Sequence, residues 1–138
     1  MKFTNKFNLP SSLVNAITND TYSRGEADIS VTGVINSPRQ SQLSREHYHE
    51  MEKDVSDQLW SLYGKLVHKL LEDADEKGLT EERYFMECEG WIISGQADRV
   101  LLKEKHLSDY KFVGVQKMQD GVPADYEAQV NLYVELKS

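Results

Sequence analysis

Two short apolar segments, each carrying an aspartate, restrict the middle of this chain to a β-hairpin. Asp98 begins the segment Asp98–Leu102, and Asp109 lies near the start of the segment Leu107–Val113. Both segments have the composition of strands, and the polar stretch between them is short enough for a turn. Antiparallel pairing would bring the two carboxylates together, with Lys111 on the same face as Asp109. Because like charges so close are unfavourable unless a cation separates them, the pattern predicts a divalent-metal site beside a lysine.

The flanking sequence places this hairpin between two helices. Apolar residues recur at spacings of three and four from Glu50 to Glu76, which predicts one long helix with a buried apolar stripe. Strands are expected at 83–88 and 91–94, on either side of a Glu89–Gly90 turn, and a last helix at 123–136. The order helix, three antiparallel strands, helix predicts an α/β (α+β) fold in which helices flank a small sheet.

The chain length of 138 residues predicts a single domain, 1–138. The motif-bearing core is expected at 50–136, whereas residues 1–48 carry few signals and 28–35 is either a strand or a short helix entry. No apolar run approaches the roughly 20 residues of a membrane helix, and the N-terminus lacks the apolar core of a signal peptide. We therefore expect a cytoplasmic protein with no membrane partner, and the short length suggests a phage protein acting in the host cytoplasm.

Charge and motif content exclude several classes of function. The net charge of −7 argues against a protein that grips nucleic acid through a broad basic surface, but not against one that acts on DNA. A serine-hydrolase elbow and a phosphate-binding P-loop are both absent from the sequence. Histidines 47, 49 and 68 with the single cysteine, Cys88, have no spacing typical of a zinc site.

The long helix offers a third candidate ligand, His68. Gly64, His68 and Glu72 are spaced by four and line one helical face. A glycine inside a helix lowers the stability of the helix by about 1 kcal/mol. A glycine at position 64 is therefore explained if another backbone or a substrate comes close to the helix there. His68 is either a ligand of a metal held by Asp98 and Asp109 or a partly buried histidine bonded to a neighbour.

The last helix carries a second pair of residues four apart, Gln129 and Tyr133. In one interpretation they meet a phosphate or orient Lys111. In the other, the tyrosine packs at the edge of the core beside a solvated glutamine.

Four short motifs occur in one order along the chain, namely GKLVH at 64–68, GQAD at 95–98, DYK at 109–111 and QVNLY at 129–133. This series resembles the PD-(D/E)xK nuclease superfamily, in particular its RecB-like exonuclease branch, which includes the CRISPR adaptation nucleases. The branch pattern is GxxxH, GxxD, (D/E)xK and QxxxY on a helix, two strands and a helix. The resemblance spans about residues 60–135 and implies a restriction-endonuclease-like core with a small mixed sheet.

The chain departs from its relatives at a few positions. Ala97 stands where the superfamily name has a proline, as is common in this branch, and Cys88 alone cannot hold the iron–sulfur cluster of some relatives. The chain ends at Ser138, soon after the last motif, where relatives continue with further strands or a helix.

The resemblance implies a role for each matching residue. The implied metal ligands are the side chains of His68, Asp98 and Asp109 and the backbone carbonyl of Tyr110. Lys111 would position or activate the attacking water, so that Asp98, Asp109 and Lys111 form the catalytic group. Carboxylates, a carbonyl and one imidazole suit Mg²⁺ or Mn²⁺.

Gln129 and Tyr133 would support the site or contact the DNA backbone. The implied function is a divalent-metal-dependent DNA nuclease, an exonuclease in DNA recombination, repair or phage DNA processing. DNA is the expected partner, and a homo-oligomer or a recombination or repair protein would supply the DNA channel that so small a chain lacks. The alternative function is a catalytically silent nuclease-fold module that binds DNA or such a partner protein.

Overall fold

A computed structural model describes residues 1–19, 25–75 and 78–138 of the chain. The α-helices and strands in these residues are β1 (Lys2–Thr4), α1 (Ser11–Thr18), β2 (Ile29–Ser30), α2 (Val31–Ile35), α3 (Pro38–Glu46), β3 (Glu52–Asp54), α4 (Leu59–Ala74), β4 (Leu79–Cys88), β5 (Trp91–Leu101), β6 (His106–Ser108) and α5 (Ala124–Lys137). Short 3₁₀ turns at Val55–Gln58 and Val115–Met118 precede α4 and α5. None of the helices in these ranges combines the length and apolarity needed to cross a membrane.

The main sheet is organised around β5, which is paired on both edges. One edge is antiparallel to β4 from Leu79 opposite Val100 to Cys88 opposite Trp91. The other edge is shared by β6, antiparallel near the end of β5, and β2, parallel near its start. The sheet is therefore small and mixed and lies among helices, which confirms the predicted α+β fold.

A two-residue turn joins β4 to β5, as predicted from the sequence. Glu89 and Gly90 have φ angles of 50° and 82°. Left-handed conformations at both central residues are those of the hairpin turns whose twist matches that of the strands.

The core lies between β5 and α5. Its buried apolar residues are Val31, Ile93, Ala97, Val100, Tyr133 and Leu136. Helix α5 comes so close to the sheet that a Cβ at Gly95 would lie 2.6 Å from Leu136 Cδ1 and 2.8 Å from Tyr133 Cδ1. The glycine of the GQAD motif is therefore required for helix packing. The helix itself begins at Ala124, with Pro123 as its N-cap rather than its first helical residue.

The long helix predicted from Glu50 to Glu76 is shorter in the structure, because α4 begins only at Leu59. Residue 76 lies outside the described ranges. The segment Glu52–Asp54 is instead a strand that pairs in parallel with β1.

Hydrogen bonds to Asp54 explain why the chain is extended at this point. Its carboxylate accepts the backbone N–H groups of Lys6 and Ser56 at 2.9 and 3.0 Å. It also accepts the hydroxyls of Thr4 and Ser56 at 2.8 and 2.7 Å. Helical periodicity across residues 50–58 cannot reveal bonds to partners about fifty positions away in the sequence.

The apolar stripe of α4 is not buried, contrary to the sequence-based expectation. Leu66 and Leu70 are 53% and 69% exposed, and no residue of α4 is fully buried. The helix approaches β5 instead at His68, whose Nδ1 lies 3.2 Å from Asp98 Oδ1. An ion pair between Asp75, just after α4, and Arg99 of β5 fixes the end of the helix to the sheet.

The segment 28–35, for which the sequence allowed a strand or a helix, contains both. Strand β2 ends at Ser30, whose Oγ accepts the backbone N–H of Gly33 at 3.1 Å and thereby caps α2.

Candidate active site

Asp98 and Asp109 lie near each other, as the hairpin pattern predicted. Arg99 pairs with Ser108 in the ladder between β5 and β6, so Asp98 and Asp109 occupy the next position. Both side chains are largely buried, at 10% and 4% exposed.

The strand predicted at Leu107–Val113 is wrong beyond Ser108, where β6 ends. The Tyr110 backbone N–H donates to Asp98 Oδ2 at 2.5 Å, and the Tyr110 carbonyl accepts from His68 Nε2 at 2.8 Å. Because these backbone groups bond to side chains instead of a neighbouring strand, the chain leaves the sheet at this point.

His68 connects α4 to both carboxylate-bearing segments. Its Nδ1 lies 3.2 Å from Asp98 Oδ1, while its Nε2 contacts the Tyr110 carbonyl. His68 thus lies over the sheet as expected, and three of the four predicted metal ligands form one connected group of nitrogen and oxygen donors.

Lys111 pairs with Asp109. Its Nζ lies 2.5 Å from Asp109 Oδ2, and this oxygen has no other partner in the described part of the chain. The side chain of Lys111 is 28% exposed, so the ammonium group stays accessible from the cleft described below. Lys111 thus lies beside Asp109, although the two residues are not in the strand that the sequence predicted.

Glu81 is a candidate residue that the sequence reasoning missed. It lies in β4 between Thr80 and Glu82, which pair with Arg99 and Ala97, so it faces Asp98 across the ladder. One ligand atom each from His68, Glu81 and Asp98 lie within 4.8 Å of one another. The sequence placed the start of this strand at residue 83, because the polar residues 80–82 lack strand-like alternation.

Burial and mutual repulsion shift the ionisation of these acids. Burial raises the pKa of Asp98 and the charge of Asp109 raises it further, whereas the hydrogen bond from Tyr110 lowers it. Burial also raises the pKa of Glu81, and the charge of Asp98 adds to this effect. A group of carboxylates in a partly dry position binds a proton or a cation more readily than isolated surface acids do. The imidazole and carboxylate donors fit a divalent cation.

Gln129 and Tyr133 take different positions on α5. Tyr133 is 6% exposed and belongs to the core, as the packing interpretation held. Gln129 borders the cleft and donates from Nε2 to Tyr133 Oη at 2.6 Å. The pair thus links the core to the cleft, with only the glutamine able to reach a bound molecule.

An open cleft of about 500 Å³ lies beside these residues, between α4, α5 and the segment after β6. His68, Tyr110, Lys111 and Gln129 line it, together with the rings of Trp60, Phe112 and Tyr126. Gly64 also lines the cleft and has no atom within 4 Å of where a Cβ would lie. No backbone packs against this glycine, so its missing side chain widens the cleft.

No family model and no curated protein matches the chain. Among solved structures, the chain is similar to a protein described as "Crystal structure of SSO0001", with a TM-score of 0.69 over 91% of this chain. The two share 19% sequence identity, and the match covers 64% of that protein, so the present chain spans slightly less than two thirds of its length. At this identity the likeness establishes the α+β fold.

Proposed function

We propose that the protein is a divalent-metal-dependent DNA nuclease that hydrolyses phosphodiester bonds from DNA ends. The observation that carries the proposal is that residues of three of the four motifs line one cleft, and that Asp98 of the remaining motif contacts His68 beside it. His68 contacts Asp98 at 3.2 Å, and Lys111 contacts Asp109 at 2.5 Å. Gln129 borders the same cleft.

His68, Asp98, Asp109 and the Tyr110 carbonyl would hold the ion, and their donor atoms suit Mg²⁺ or Mn²⁺. A bound divalent ion lowers the pKa of a coordinated water and stabilises negative charge on a phosphate. Asp98 has a second task, because it accepts the backbone N–H of Tyr110, the residue whose carbonyl accepts from His68.

Lys111 would supply positive charge to the scissile phosphate. Its ammonium group is fixed by Asp109 yet partly exposed to the cleft, so it does not need to move to meet a phosphate there. A cation that is already in position stabilises the charge that develops in the transition state. A catalytically silent module that only binds DNA or a protein would not need the ammonium group of Lys111 to be held in one position.

The cleft would hold the DNA strand. Trp60 is 67% exposed and Phe112 45%, and their ring centroids are 5.8 Å apart. Lys65 and Lys111 also line the cleft. Exposed rings on which bases stack, beside lysines that contact phosphates, are typical of single-strand binding sites.

A second candidate function is a catalytically silent module that binds DNA or a recombination or repair protein, and the net charge of −7 favours the protein partner over DNA. Under either function we place the protein in the cytoplasm, and DNA is the partner of the nuclease. A homo-oligomer or a partner protein would extend the short cleft.

Cleavage of linear and circular DNA distinguishes the two functions. The parent should degrade linear DNA with Mg²⁺ or Mn²⁺, spare closed circles, and lose activity in a chelator or on Asp109→Ala substitution. If the parent cleaves neither substrate with either metal, or if Asp109→Ala behaves as the parent does, the nuclease function is refuted.

A further inference from the structure

Glu81 brings a carboxylate to the candidate metal centre from a second strand, β4. Glu81 has a φ of 53°, although it lies within β4, and the residues on both sides keep their pairing with β5. The Glu81 carboxylate nevertheless comes close to that of Asp98, because one ligand atom of each lies within 4.8 Å of the other. Neither the GxxD nor the (D/E)xK motif includes this position.

The donor atoms of His68, Glu81 and Asp98 converge. One from each residue lie within 4.8 Å of one another. Asp109, in contrast, directs Oδ2 to Lys111 at 2.5 Å. An imidazole with two carboxylates is a donor set that binds Mn²⁺ more readily than Mg²⁺, which prefers oxygen ligands alone.

Two further side chains hold the Glu81 carboxylate in position. Gln96 Nε2 donates to Glu81 Oε2 at 2.5 Å, and Gln96 Oε1 accepts from Arg83 Nη2 at 2.6 Å. Arg83 Nη1 in turn donates to Oγ of Ser94, which is fully buried. Partners of this kind orient metal-binding side chains, and their loss commonly weakens metal binding about 10–100-fold.

We propose that His68, Glu81 and Asp98 bind one divalent cation, with Glu81 as a direct ligand and Gln96 as the residue that positions it. This inference deepens the proposed nuclease function and rests on it for the role of the ion. It adds a second strand, β4, to a centre otherwise built from α4, β5 and the segment after β6.

Calorimetric titration with Mn²⁺ alone, without DNA, tests the assignment. The parent should bind one Mn²⁺ per chain, and Glu81→Gln should weaken binding at least about tenfold. Gln96→Ala should weaken it less than Glu81→Gln does. Glu87→Gln is the matched control, because Glu87 is an exposed acid further along the same strand, and it should bind as the parent does. Circular dichroism of each metal-free variant checks that it is folded.

A measurement on the parent alone avoids dependence on the folding of variants. Anomalous scattering from Mn²⁺-soaked crystals should place the ion about 2.0–2.3 Å from a Glu81 oxygen. An ion that binds His68 and Asp98 without Glu81, together with unchanged affinity in Glu81→Gln, would overturn the inference.

DNA cleavage separates failure of this inference from failure of the nuclease proposal. If the parent and Glu81→Gln bind Mn²⁺ and cleave DNA equally, Glu81 is not a ligand and the nuclease function stands. If Mn²⁺ binding depends on Glu81 but no DNA is cleaved, the metal site stands and the nuclease function fails.

Discussion

Glu81 faces Asp98 across the β4–β5 ladder, although its φ of 53° is left-handed. Such a backbone conformation costs a residue other than glycine about 1–3 kcal/mol and is found most often at functional sites. The two carboxylates also repel each other in a partly buried position. The fold thus maintains a locally unfavourable arrangement at the point where a cation would relieve it.

Glu81→Gln should stabilise the metal-free protein near neutral pH. Because the folded-state pKa of Glu81 is raised from its ordinary value of 4.5, the ionised carboxylate destabilises the folded state. The parent therefore loses stability relative to the variant as pH rises from about 4.5 through the raised folded-state pKa, and the two proteins should be equally stable at about pH 4. Urea unfolding across pH measures the difference. A difference that does not grow with pH, or an equal gain in Glu87→Gln, would refute the explanation.

Asp54→Asn should lower stability near neutral pH. The backbone hydrogen bond from Lys6 and the side-chain bond from Ser56 hold the pKa of Asp54 well below its ordinary value of 3.8. Its stabilising effect is present above that value and is lost as pH falls towards the lower folded-state pKa. The matched control is Asp57→Asn, since Asp57 is an exposed acid in the 3₁₀ turn that Asp54 caps. Equal urea midpoints for the two variants near neutral pH would contradict this role.

Two Gly→Ala substitutions should act in opposite directions. Gly95→Ala places a Cβ 2.6 Å from Leu136 Cδ1 and should cost about 1–3 kcal/mol through overpacking. Gly64→Ala meets no atom within 4 Å and should add about 1 kcal/mol of helix stability. The same methyl group narrows the cleft, so the KM for DNA should rise. A destabilised Gly64→Ala protein would contradict the open space beside Gly64.

Trp60→Ala should weaken binding of a single-stranded oligonucleotide. The loss of one stacked base corresponds to about 1–3 kcal/mol, or roughly tenfold or more in Kd. Trp91→Ala is the control and should bind the oligonucleotide as the parent does, because Trp91 is 59% exposed and lies at the end of β5 away from Asp98. In a Trp91→Phe background, where Trp60 is the only tryptophan, the oligonucleotide should quench the fluorescence. If a saturating concentration of the oligonucleotide causes no quenching, the oligonucleotide does not stack on Trp60.

The sequence predicted those parts of the fold that local signals govern. The Glu89–Gly90 turn, the approach of Asp98 to Asp109 and the last helix follow from turn residues and periodicity. The start of α4 does not follow from such local signals, because Asp54 bonds to residues near the N-terminus. The end of β6 does not follow from them either, because Tyr110 bonds there to two side chains. Glu81 was missed because a polar strand beginning has no alternation that marks it, so the candidate site lacked one acid until the strand register was known.

The rate of cleavage of end-labelled linear DNA in Mn²⁺ by the parent and by Lys111→Ala tests the central claim most directly. The parent should release labelled product, and Lys111→Ala, which leaves all proposed metal ligands in place, should be slower by about 10²–10³-fold. Lys103→Ala, which changes an exposed lysine in the turn after β5, should match the parent. Equal rates in the parent and Lys111→Ala, or no cleavage by the parent with either Mn²⁺ or Mg²⁺, would contradict the assignment of this centre to phosphodiester hydrolysis.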